Sequence, residues 1–557
     1  MLTNADHTAI INSALWAAAG DALGWITELS RDGTVEARTG LDRIVEPVEW
    51  RRFIGGKMGV RVHLPAGTYS DDTQLRLAVS RSIRGDGNFD AEVFARIELT
   101  AWQAYLLGAG NGTKTAAANL AKRGVNWFSN FFDKGANYIS AGGNGAAMRI
   151  QPHVWATPSA DSDRLFVDVI RDALITHGHP HGFVGAALHA AMLFETISRG
   201  KLPAYEDWQT ILASLVRIPS WIEQDRQLAA FWRPAWEQTT GQSLGDAVHN
   251  AIDEADRDIE AVLPILASKD PARYTSALEA IGCLSDKYRG SGLKTALAAS
   301  VLAHLYEGHI EDALIRSANT FASDTDTIGT MAGALLGAIE PRSPKWLIQD
   351  RDYIVDEAQR LARIRDGIRS ASFPYPDLNR WAPPSTQSDA VGEFGAGLAL
   401  LGLGQLEPIG EEYAAADAVW QWFSLPFGQT VLAKRRKKLK LKIEENMLPG
   451  RRSAAPASHD DSGSQAQLAF DVGAPASELR GTVARAGKKG QSGHRPQGGN
   501  DIDSWTDEVI RSGFDDLTLG QLLNYCIDKY GSIESAASFA GIIAKAKIAR
   551  QRRHNSR

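Results

Sequence analysis

Hydrophobic positions recur along this chain mostly at helical spacing. Ile10, Ile11, Leu15 and Trp16 place an apolar stripe on a helix over residues 8–20, ending near Gly20-Asp21-Ala22-Leu23-Gly24. Residues 29–67 read as irregular. Helices are predicted at 73–84 and at 90–107, the second carrying Phe94, Ile97, Leu99, Trp102 and Leu106. Two more fall within 164–200, on either side of Thr176-His177-Gly178-His179-Pro180-His181-Gly182. Further helices run through 205–290, from Ser291 to Leu305, over 310–319 and over 351–369. Alternation of period two is scarce, so the main body is expected to be all-α.

Beyond Pro374 and Pro376 the character changes. Residues 371–449 are expected to form a helical extension holding the basic run Lys434-Arg435-Arg436-Lys437-Lys438-Leu439-Lys440-Leu441-Lys442. A solvated helix face or contact with phosphate explains such a run, and nucleic acid stays open as a partner. Residues 450–503 are rich in Gly, Ser, Pro and charge and read as a disordered linker. Within them Gln465-Ala466-Gln467-Leu468-Ala469-Phe470 is an apolar island similar to sliding-clamp docking peptides. Apolar periodicity returns at Trp505, Val509, Ile510 and Phe514, so 504–557 is expected to be a small helical module, tethered and able to recruit a partner. That leaves residues 1–370 as the main domain.

Composition narrows the function classes. In 557 residues, 44% are hydrophobic and the net charge is −6. A sizeable core is available, and no global basicity argues for nucleic-acid binding. Cys283 and Cys526 exclude a disulfide framework or a thiolate zinc site and suit a reducing cytoplasm. Neither a signal peptide nor a membrane span is expected.

Candidate chemistry gathers in a few short stretches. Thr68-Tyr69-Ser70-Asp71-Asp72-Thr73 and, far downstream, Ser323-Asp324-Thr325-Asp326-Thr327 each set two carboxylates beside hydroxyls at the start of a helix. Ser, Thr and Asp are ordinary helix caps, but one cap needs only one side chain. The excess of oxygens is a hard donor set suited to Mg²⁺ or Mn²⁺. Glu28 follows the first helix as a further acid or as a surface residue. Ser140 to Pro152 contains Gly142-Gly143-Asn144-Gly145, where backbone can approach a ligand closely, with neither a Walker lysine nor a dinucleotide-fold context. The three histidines in Thr176 to Gly182 lack metal-ligand spacing and read as hydrogen-bonding groups.

Taken in order, Gly20-Asp21-Ala22-Leu23-Gly24 with Glu28, Tyr69-Ser70-Asp71-Asp72-Thr73, Gly143-Asn144-Gly145-Ala146-Ala147-Met148-Arg149 with Pro152, Thr176-His177, and Asp324-Thr325-Asp326-Thr327 resemble the ADP-ribosylglycohydrolase family. The resemblance covers roughly residues 8–340. It implies an all-α fold around two Mg²⁺ ions, with Mn²⁺ as a substitute, held by Ser70, Asp71 and Asp72 at one end and Asp324, Asp326 and Thr327 at the other. It implies Glu28, Asp72 and Asp326 as catalytic groups, and Gly143, Asn144, Gly145, Met148 and His177 around ADP-ribose. The activity implied is hydrolysis at C1″ of ADP-ribose on a protein side chain or other acceptor, by attack of water. Two alternatives stand beside it: a module that binds ADP-ribose without cleaving it, and a scaffold acting through the tail. The sequence also departs from the family. Ala322 and Ser323 stand where glycines are common, and no carboxylate lies between Glu98 and Asp133.

Overall fold

The computed structural model describes residues 4–30, 33–158, 160–450 and 502–530, with isolated positions between 536 and 550. The chain divides into two units, residues 1–457 and 458–557.

The larger unit is built around two helices that meet backbone to backbone. The first, Asn4–Thr27, continues through both of its glycines, and the second is Thr325–Gly337. A Cβ on Gly20 would lie 2.2 Å from the Gly329 carbonyl oxygen, and one on Gly24 would lie 2.5 Å from the Asp326 Cα. Only hydrogen fits at such a crossing. Thr325 fastens it by donating from its hydroxyl to the Gly24 carbonyl at 2.8 Å. Around this pair pack Asp71–Ser82, Ser162–Thr176, Pro180–Arg199, Leu244–Ser268, Gly292–Leu305, Ile310–Ala318 and Arg351–Arg365. The all-α reading holds for this helical bundle. The second predicted helix carries a π-helical turn over Phe94–Glu98 and ends at Trp102.

Two regions depart from expectation. The segment read as irregular contains an antiparallel hairpin, β1 (Trp50–Ile54) with β2 (Val60–Leu64), in the register Trp50 to Leu64. The stretch read as a helical extension is instead an antiparallel sheet of six strands: β3 (Val391–Phe394), β4 (Gly397–Leu400), β5 (Gly404–Pro408), β6 (Tyr413–Ala414), β7 (Ala418–Ser424) and β8 (Thr430–Arg436). The basic run therefore begins on a strand. Val391, Leu400, Trp420, Phe423 and Val431 join the same core as the helices. Arg81, fully buried, reaches across to the sheet side, bonding Glu98, Tyr353 and Gln429.

In the second unit, helices Ile502–Arg511 and Asp516–Tyr530 bury Trp505, Val509, Phe514, Leu522 and Cys526 in a core of their own. The expected linker and its apolar island lie outside the described residues. Among the described residues, no helix is long and apolar enough to cross a membrane.

Candidate active site

The first carboxylate cluster is fixed by local capping and by one distant acid. Ser70 caps the Asp71–Ser82 helix, its hydroxyl accepting from the Asp72 amide at 3.2 Å. Asp21, fully buried on the first helix, accepts from the amides of Ser70 and Thr73 at 2.9 Å each. Because Asp21 takes up those amides, the Asp71 and Asp72 carboxylates are left to line the neighbouring cavity. Asp71 is held by the Ala109 amide at 2.8 Å. The second cluster follows from the crossing of the two central helices, which places Asp326 beside Gly24. The clusters touch: the Thr327 hydroxyl donates to Asp72 Oδ1 at 3.4 Å.

These groups line one cavity of about 680 Å³. Its wall carries Glu28, Asp71, Asp72, Asp324, Asp326 and Thr327, and also Gly143, Asn144, Gly145, Met148 and His177. Of the residues singled out from sequence only Ser70 does not line it, being fully buried beneath. The glycine loop is tied down from behind by Arg149, which bonds the Gly145 carbonyl at 2.9 Å, Asp172 and the Thr176 hydroxyl. Asn144 has a second duty, since its amide donates to Asp324 Oδ2 at 3.0 Å. The histidines behave as hydrogen-bonding groups. His177 bonds Thr176, while His181 bridges Ser291 and Glu254. Burial drives the His177 pKa down to about 3, so it is neutral at physiological pH.

Burial raises the Asp71 carboxyl well above the carboxylate range, with the charge of Glu28 adding to the effect. Asp72 is raised by burial and then by Asp21, Asp71 and Asp324. Asp326 is raised by burial and then by Glu28, Asp324 and Asp72. Such mutual repulsion is relieved by protons or by a cation. Asp72 Oδ2 is buried without a hydrogen-bond partner, an oxygen available to such a cation. Among the described residues, no three His, Cys, Asp or Glu side chains form a metal cage by themselves. A hard divalent ion here would therefore have to be held by mixed carboxylate and hydroxyl donors, the kind of oxygen set such ions take.

Two participants were not legible in the sequence as such. Asp21 was visible only as part of a motif, and its capping of a helix 49 residues away is purely tertiary. Arg52, on β1, pairs with Glu28 at 2.7 Å; hairpin alternation around it was the one available signal.

The ADP-ribosylglycohydrolase family model matches residues 4–370. The ADP-ribosyl-[dinitrogen reductase] glycohydrolase of Rhodospirillum rubrum is 29% identical over 175 residues, 31% of this chain and 53% of that protein. The chain thus spans about half the length of this curated relative. A solved structure described as an ADP-ribosylglycohydrolase-related protein complex is similar with a TM-score of 0.41 and 20% identity, over 65% of this chain and 100% of the other. The family match takes in both carboxylate clusters, Glu28 and the glycine loop, and the chain belongs to the ADP-ribosylglycohydrolase family.

Proposed function

We propose that this protein hydrolyses the bond between C1″ of ADP-ribose and an acceptor on an ADP-ribosylated macromolecule. The observation that carries the reading is the contact of Thr327 with Asp72, which closes two sequence-distant acidic motifs into one wall of a cavity that also holds Glu28 and the glycine loop. Asp71, Asp72, Asp324, Asp326 and Thr327, backed by Ser70, would hold two Mg²⁺ or Mn²⁺ ions. Bound there, the ions would stabilise negative charge and lower the pKa of a nearby water. Glu28, oriented by Arg52, is placed to take the proton from the attacking water. Gly143, Gly145, Met148 and the neutral His177 would line the ADP-ribose, with backbone N–H groups offered to its phosphates. Asp72 and Asp326 would serve as catalytic groups by holding the ions, which would supply the orientation of the ribose end. The buried free thiols of Cys283 and Cys526 support a reducing, cytoplasmic setting.

The test is incubation with ADP-ribosylated Arg and Ser peptides, with and without Mg²⁺. Release of ADP-ribose should require the ion, and Asp326→Ala should abolish it while leaving the fold intact. Full activity of Asp326→Ala at ordinary Mg²⁺ overturns the assignment.

A further inference from the structure

Two consecutive residues at the start of β8 reach both ends of the helix that carries Asp71 and Asp72. At the helix start, Tyr69 precedes the Ser70 cap and is fully buried. Its hydroxyl donates to Asp350 Oδ2 at 2.5 Å. Asp350 also accepts twice from Thr430, from the amide at 2.9 Å and from the hydroxyl at 2.7 Å. Gln349 closes the knot. Its backbone amide donates to the Gly67 carbonyl at 3.0 Å, and its side chain donates to the Thr430 hydroxyl at 2.8 Å. At the helix end, Arg81 donates to the Gln429 side chain at 2.8 Å and to both oxygens of Glu98. Gln429 is buried, as Arg81 is. Gln429 and Thr430 lie beyond residues 4–370, the part that matches the family. Asp350 stands at φ +56° and ψ +32°, a left-handed backbone that is uncommon outside glycine and persists where the surroundings impose it. Burial, with the charge of Asp350 added, raises the Tyr69 phenol well above its ordinary range, so it stays a donor.

We propose that Asp350 and Thr430 are positioning residues for the carboxylate site, acting through the Tyr69 hydroxyl on the backbone that bears Ser70, Asp71 and Asp72. Gln429 does the same for the far end of that helix through Arg81. The proposal rests on the hydrolase reading above. Asp21 holds the amides of Ser70 and Thr73 from the first helix, but those bonds leave the preceding turn free to rock. The bond from Tyr69 to Asp350 removes that freedom, because it fixes the side chain one residue before the cap. The sheet is then a working part of the site. It touches neither substrate nor ions, and it sets where Asp71 and Asp72 stand relative to Asp324 and Asp326. Groups that orient metal ligands from behind act in this way.

The test uses the full chain. Asp350→Asn keeps the shape and the tolerance of a left-handed backbone but leaves one acceptor oxygen in place of two. Tyr69→Phe removes the donor from the other side. Thr430→Val removes the sheet's hydroxyl, and Thr430→Ser restores it. Leu400→Ala is the control, since Leu400 on β4 is buried in the same core and makes none of these bonds. Hydrogen exchange of the metal-free protein compares amides 70–74 with those of the Thr325–Gly337 helix, and half-saturating Mg²⁺ is read from the rise in Tm. In Asp350→Asn and Tyr69→Phe the exchange ratio and the half-saturating Mg²⁺ should each rise about tenfold. Thr430→Val should follow in part, Thr430→Ser should match the wild type, and Leu400→Ala should lower Tm while changing neither quantity. An unchanged exchange ratio in Asp350→Asn and Tyr69→Phe, an equal change in Leu400→Ala, or a changed ratio with half-saturating Mg²⁺ unaltered overturns the proposal. A wild type whose Tm ignores Mg²⁺, with the exchange ratio still raised in the variants, sinks the metal site and sustains the positioning role.

Discussion

Gly24→Ala tests whether the helix crossing sets the spacing of the two carboxylate clusters. The added methyl would sit 2.4 Å from the Thr325 carbonyl oxygen, 2.5 Å from the Asp326 Cα and 2.6 Å from its nitrogen. Ordinary contact of a Cβ begins near 3.4 Å, and all three obstacles are backbone. The helices must therefore part by about 1 Å, and Asp326 moves with them. Overpacking a tight core costs about 1–3 kcal/mol, and here the upper end applies because no side chain can turn aside. That corresponds to a fall in Tm on the order of 5 °C. A displacement of 1 Å at reacting groups costs about 100-fold in rate. Gly245→Ala is the control. It lies in the Leu244–Ser268 helix with Ser243 Oγ at 3.9 Å as its nearest neighbour, and it should be neutral or stabilising by up to about 1 kcal/mol. Thermal melts and ADP-ribose release on both variants decide the matter. If Gly24→Ala melts and turns over like the wild type, the crossing does not position Asp326.

Four other expectations follow from the same geometry. In the metal-free protein Asp72→Asn should stabilise by about 1–3 kcal/mol, since it removes a buried charge with one unpartnered oxygen; the raised carboxyl favours folding more as pH falls from neutral toward its ordinary value of 3.8, so the gain should shrink over that window, and Mg²⁺, expected to raise the wild type's Tm, should no longer raise the variant's. Asp172 behaves oppositely: burial alone would raise it, but Arg149 and His153 hold it below 3.8, so its contribution is present above that pH and lost on further acidification, and Asp172→Asn should cost about 3–5 kcal/mol at neutral pH by stranding buried Arg149. Ala322 has φ +71° without being glycine, so Ala322→Gly should raise stability by about 1 kcal/mol in urea melts; a loss would mean the alanine methyl makes a contact worth more than its strain. A chain ending at residue 457 should fold and retain activity on small ADP-ribosyl compounds, whereas one ending at 390 should be insoluble or molten by near-UV circular dichroism, because it bares the core that the sheet covers.

The last expectation marks where sequence reading and structure part. The two acidic helix starts were legible because Ser70-Asp71-Asp72 and Asp324-Thr325-Asp326 advertise caps and carry surplus oxygens, which is local information. The sheet was not. Along β7, Ala418 to Ser424 is buried in the pattern half, full, full, half, full, full, half, since both faces are covered and no period of two survives. In β8 the lysines and arginines masked a strand in which Val431 to Ala433 are buried. By contrast Val60 to Leu64 alternates cleanly between buried and exposed, a five-residue signal that the glycines at 55 and 56 obscure. Asp21 and Arg52 act through partners that only the tertiary fold supplies.

The pairing of the first helix with the one that begins at Thr325 also governs the birth of the protein. Thr27 bonds a residue 298 positions downstream. At about 5–20 residues per second of synthesis, the first helix waits some 15–60 s after leaving the ribosome before its partner exists. Throughout that interval the helix bearing Ile10, Leu15, Trp16 and Leu23, all buried in the finished protein, lacks the Thr325–Gly337 helix against which it packs most extensively. The first helix is therefore a segment that a chaperone would be expected to shield until synthesis passes residue 337. Its apolar stripe would be the first to aggregate when translation stalls before residue 337.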